Sequence, residues 1–213
     1  MVRPRFLAAC LLVFVALHTS AQESSPAGIV RAARGQIGKT VKYDPAYRTL
    51  AYPNGDLAME VGVCTDVVIR ALRASLGMDL QRLVHEDMNR AFAEYPRNWG
   101  LNRPDRNIDH RRVPNLRTFF KRSGWALPVT RSARDYRPGD LVTCTVPPNL
   151  PHIMIVSDRT TADGRPLVIH NIGAGTQEED RLFEFPITGH YRVRTMPPTN
   201  DAGGRSQPRY PGP

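Results

Sequence analysis

Cysteine is scarce in this 213-residue chain, which has only Cys10, Cys64 and Cys144. That excludes the disulfide-dense scaffolds on which small secreted proteins rely. Long apolar runs are scarce too. The stretch Leu7 to Leu17 falls well short of the ~20 residues a membrane-spanning helix needs, and no later segment supplies one, so stable membrane insertion is not expected. Close ligand pairs such as C-x-x-C or H-x-x-x-H are missing, which argues against a dedicated metal site. Zinc held by Cys64, His152 and His170, with His110 or Asp109, is the weaker rival to the chemistry developed below. Aromatic residues make up 8% of the chain and are not interleaved with basic runs, so a nucleic-acid surface is not expected.

What is present is an ordinary globular composition, 41% hydrophobic and 23% charged. Arg3 and Arg5, the apolar run and then Thr19-Ser20-Ala21 follow the order of a secretory signal peptide, residues 1–21. Leu7-Ala8-Ala9-Cys10 resembles a lipobox, but most of the apolar run lies after Cys10. The expected destination is the periplasm or the exterior. Cleavage leaves Cys64 and Cys144, which in oxidising surroundings could simply form one bridge. The formal charge of +9 falls to +7 when Arg3 and Arg5 are subtracted, since residues 1–21 contain no acid. Such a surface favours anionic partners, although arginine-rich base composition explains it equally well.

Apolar spacing predicts helices over Ile29–Ile37, Cys64–Leu76, Leu80–Tyr95 and Asn115–Arg122, with a long loop at 97–112. Short β-branched runs at Leu141–Val146, Ile153–Ser157, Leu167–Asn171 and Tyr191–Thr195 predict strands. Helices first and strands second imply one α+β domain over residues 22–196 with a mostly antiparallel sheet. Residues 197–213 are rich in Pro and Gly and are expected to be disordered. No cofactor is implied, and a monomer is expected.

Cys64 follows Gly62-Val63 at the predicted start of a helix. Free N–H groups there favour a thiolate and could also hold an oxyanion. His152 opens one strand and His170 ends the next. A hairpin turning near Asp163-Gly164 would bring them together, with His152 as general base and His170 orienting it, and Asn171 in reserve for the orienting role. The alternative from another class is a non-catalytic wall- or peptide-binding module.

Cys64-Thr65-x-Val67-Val68, Arg137-Pro138-Gly139-Asp140-Leu141-Val142, His152-Ile153-Met154-Ile155-Val156 and Val168-Ile169-His170 resemble, in order, the blocks of NlpC/P60-type cell-wall peptidases. Tyr43-Asp44-Pro45-Ala46-Tyr47, Tyr52-Pro53-Asn54-Gly55-Asp56, Val63-Cys64-Thr65-Asp66, Asn107-Ile108-Asp109-His110-Arg111 and His170-Asn171-Ile172-Gly173 resemble the exported bacterial family DUF1287. The first resemblance implies a papain-like fold, thiol hydrolysis by Cys64, His152 and His170, and a peptidoglycan or peptide substrate. Tyr43, Asp44, Asp66, Asp109, His110 and Arg111 are the substrate-binding candidates. Val63 and Asp66 depart from the peptidase pattern on either side of the thiol.

Overall fold

The computed structural model describes residues 25–194. The expected signal peptide and the Pro/Gly-rich tail lie outside the described residues.

Four helices precede the sheet. Helix α1 (Pro26–Arg34) starts where the Ser25 hydroxyl accepts the Gly28 N–H and Pro26 fills the first turn. It therefore begins and ends a few residues before the apolar spacing suggested. Two short parallel strands, β1 (Lys42–Tyr43) and β2 (Val61–Gly62), flank a turn-rich segment and lead into α2 (Cys64–Leu76). Helix α2 stops at Gly77, whose φ of 65° closes the helix by donating to the Arg73 carbonyl. Asp79 caps α3 (Leu80–Ala91). The predicted continuation of that helix to Tyr95 is instead a 3-10 turn, Phe92–Glu94, that delivers Tyr95 into the core. A further 3-10 turn, Asp109–Arg111, precedes α4 (Val113–Arg122).

The sheet follows: β3 (Ala126–Leu127), β4 (Leu141–Val146), β5 (Leu150–Thr160), β6 (Pro166–Asn171), β7 (Thr176–Glu179) and β8 (Ile187–Tyr191). Their spatial order is β3-β8-β4-β5-β6-β7, and every pairing in this sheet is antiparallel. The fold is α+β with an antiparallel sheet, as the order of predicted elements required. The final strand ends at Tyr191 rather than beginning there. Strand β7 was not predicted, because Thr-Gln-Glu-Glu has no apolar alternation and a charged strand is suited to a sheet edge.

Alternation along β5 sorts the core into two layers. Ile153 and Ile155 pack with Val67, Leu72, Leu116 and Phe120 from the helices. Met154 and Val156 pack on the opposite face with Val142, Cys144, Val168, Tyr136 and Leu182. The helical layer packs the start of α2 against β5.

The Pro-Gly-Asp block has a structural explanation. Asp140 is buried, accepts the Arg137 N–H at 2.8 Å, and lies 2.8 Å from His190 and 2.7 Å from Arg192. It thereby ties the entry of β4 to β8.

Candidate active site

Cys64 occupies the first position of α2 and is 5% exposed. The electrostatics of the thiol are set partly by the backbone N–H groups of Ile153, Thr65 and Cys64 itself. Cys64 shares a core cluster with Ile153, which sets the start of α2 against β5, one residue in sequence from His152. These N–H groups favour a thiolate, but burial outweighs them and, with Asp66 nearby, pushes the thiol up to about 11. The expectation of a lowered thiol pKa is thus corrected. The helix start acts in the anticipated direction, but desolvation is larger.

His152 and His170 do meet. Strands β5 and β6 form the expected hairpin, and His152 Nε2 lies 2.8 Å from His170 Nδ1. Beyond it, His170 Nε2 lies 3.1 Å from Glu179 Oε2 on β7, and the same carboxylate oxygen accepts Arg181 Nε at 2.9 Å. Burial, the neighbouring His170 and Arg181 lower His152 to about 3. Burial also lowers His170, against the pull of Glu179. At rest the thiol and both imidazoles are neutral. Among the described residues, no hydrogen bond joins the thiol to an imidazole.

Both cysteines are free and buried. Cys144 is the register partner of His152 on β4, and burial together with the nearby Cys64 pushes its thiol up to about 12. Among the described residues, no group of three or more His, Cys, Asp or Glu is placed to hold a metal ion.

Cys64 opens onto a cleft of about 350 Å³ whose walls include Tyr43, Trp99, Arg111, Pro114 and Pro151. Of the substrate-binding candidates, Tyr43 and Arg111 reach it. Tyr43 is 39% exposed, and its phenol is raised to about 12 by burial, Cys64 and Asp66. Arg111 is committed largely to internal bonds. Its Nε and Nη2 grip Asp66 at 2.9 and 3.0 Å, while its other contacts go to the Ala46 and Asp44 carbonyls, each at 3.3 Å.

The remaining candidates serve local structure. Asp66 also accepts the Val63 N–H at 2.7 Å, capping α2. Asp44 closes its own turn by accepting from the Ala46 N–H and Arg48, each at 2.9 Å. Asp109 accepts from the Asp105 N–H and Arg112. His110 is buried and is held at about 3 by burial and Arg111. Asn171 stays off His152. It donates to the Gly62 carbonyl at 3.0 Å, fixing β6 to the approach to Cys64.

Sequence reading missed Glu179 and Trp99. Glu179 carried a signal only in retrospect, as the second acid of a polar strand beside His170. Trp99 lies in the long loop, with the Arg112 guanidinium 4.1 Å above its ring centroid.

A buried thiol at a helix start lines an open cleft, and a histidine pair lies on adjoining strands, with His152 next in sequence to the thiol's β5 neighbour Ile153. The chain belongs to the family described as domain of unknown function (DUF1287), which matches residues 30–193. It is 57% identical over 171 residues to a protein of Escherichia coli (strain K12), "Uncharacterized protein YijF", covering 80% of this chain and 83% of that one. No solved structure matches the chain. Among the described residues, no helix is long and apolar enough to cross a membrane.

Proposed function

We propose that this protein is an exported, cysteine-dependent amide hydrolase of papain-like, NlpC/P60-type arrangement, acting on peptidoglycan stem peptides. The observation that supports the reading is that Cys64 at the start of α2 packs with Ile153 of β5, next in sequence to His152, whose Nε2 lies 2.8 Å from His170 Nδ1.

In the proposed cycle His152 takes the Cys64 proton as sulfur attacks the scissile carbonyl, and the Cys64 N–H helps to hold the oxyanion. Collapse breaks the carbon–nitrogen bond, and the proton on His152 passes to the leaving amine. Water, deprotonated by His152, then cleaves the thioester and restores the thiol. Because the resting groups are neutral, proton transfer accompanies attack and does not precede it. The cleft walls Tyr43 and Trp99 bind the peptide.

The neutral, buried thiol also favours a second reading, in which the cleft binds wall peptides without cutting them. Digestion of purified peptidoglycan separates the two. The hydrolase should release new amino and carboxyl termini, and Cys64→Ala should not. Retention of peptidoglycan without new termini, beside an active control hydrolase, would favour the binding module.

A further inference from the structure

The tautomers of the histidine pair follow from the group at its far end. A carboxylate can only accept. Glu179 Oε2, which also accepts from Arg181 Nε, lies 3.1 Å from His170 Nε2. His170 must therefore carry its proton on Nε2. A neutral ring protonated there presents a lone pair at Nδ1, and Nδ1 is the atom 2.8 Å from His152 Nε2. His152 must in turn be protonated on Nε2, which leaves Nδ1 as its bare, basic nitrogen. Each assignment forces the next. All three side chains sit on neighbouring strands whose register is fixed: His170 pairs with Gln177, and Glu179 with Val168.

We infer that Glu179, held by Arg181, is a positioning residue that sets the tautomers of His170 and His152 and so selects His152 Nδ1 as the base. This rests on the hydrolase reading for its consequence, but the tautomers exist whether or not the protein cuts anything. When His152 takes the thiol proton on Nδ1, its ring becomes a cation carrying both N–H groups. That cation stands one neutral imidazole away from the Glu179 carboxylate. The relay thus places a negative charge behind a base that must briefly become positive inside a buried site. Arg181 faces the same carboxylate and tempers that charge. The other charged group on its path, Glu184, pairs with Arg181 at 2.8 Å.

Nitrogen-15 spectra of the histidine rings in the full, labelled chain test this directly, with assignment by single His→Gln variants. Both His152 and His170 should be Nε2–H tautomers across the neutral range. Glu179→Gln keeps an acceptor oxygen and should preserve both tautomers. Glu179→Leu removes the acceptor and should move both rings towards Nδ1–H. In an amide-cleavage assay Glu179→Leu should lower kcat about a hundredfold, at the low end of what a positioned base supplies, with KM nearly unchanged and Glu179→Gln intermediate. An Nδ1–H tautomer at His170 in the parent chain, or unchanged tautomers in Glu179→Leu, would overturn the inference. If Glu179→Leu fails to fold, the parent spectrum still decides. A chain that shows the expected tautomers but cleaves no amide would count against the hydrolase and leave the tautomer assignment standing.

Discussion

Arg111 grips both carboxylate oxygens of Asp66, and each side chain is almost completely buried, at 2% and 4% exposure. The pair joins three parts of the site. Asp66 caps the helix that begins with Cys64, the Arg111 carbonyl accepts the Thr65 hydroxyl, and the guanidinium holds the Asp44 and Ala46 carbonyls behind Tyr43. It also keeps a carboxylate beside the thiol from standing uncompensated. Breaking such a pair leaves a buried charge without a partner. Arg111→Gln should therefore lower unfolding free energy by about 3 kcal/mol. Adding Asp66→Asn to it should recover part of that loss, measured by denaturant unfolding as a double-mutant cycle.

The thiol offers a second test. With Cys64 at about 11, its thiolate fraction near pH 7.5 is roughly a hundredfold or more below that of a free cysteine. Alkylation of the ligand-free protein by a small haloacetamide should be slower than that of a free thiol by about that factor and should accelerate steadily up to pH 10 or so. Cys144, at about 12 and in the opposite core layer, should react more slowly still. A Cys64 that alkylates rapidly and independently of pH near neutrality would show that the ligand-free site already holds a thiolate.

Acid should loosen the fold through its buried histidines. His110 and His152 are each lowered to about 3. A histidine with a depressed folded value contributes its stability above the unfolded value near 6.5, and that contribution is lost as pH falls towards the folded value. Between about pH 6.5 and pH 3 each should cost about 1.4 kcal/mol per pH unit. Urea midpoints measured down this range should fall, and His110→Gln, lacking a group to protonate, should flatten the slope.

Sequence made the helical layer and the β5–β6 hairpin legible for different reasons. Helix α2 was readable because Gly62 and Gly77 bracket an apolar-periodic run. The hairpin was readable because Val-Ile-rich segments flank Asp163-Gly164, and Gly164 indeed takes a φ of 82°. From the hairpin alone the His152–His170 contact could be anticipated. Glu179 could not, since β7 is a polar edge strand recognisable only by its pairing with β6. Nor could the fate of Asp66 and Asp109. Acids that meet a substrate and acids committed to nearby backbone N–H groups look alike until their partners, Arg111 and Arg112, are placed. The thiol pKa runs opposite to the sequence expectation because helix-start N–H groups are visible in a sequence and the depth of burial is not.

The claim that Cys64 is the nucleophile is tested most directly by mass spectrometry of the protein quenched during turnover of stem peptides. An acyl group is expected on the peptide containing Cys64 and none on that containing Cys144. The adduct should be absent from Cys64→Ala, together with a fall in hydrolysis of about a thousandfold or more. Undiminished hydrolysis by Cys64→Ala, or an acyl group carried on another residue, would contradict it.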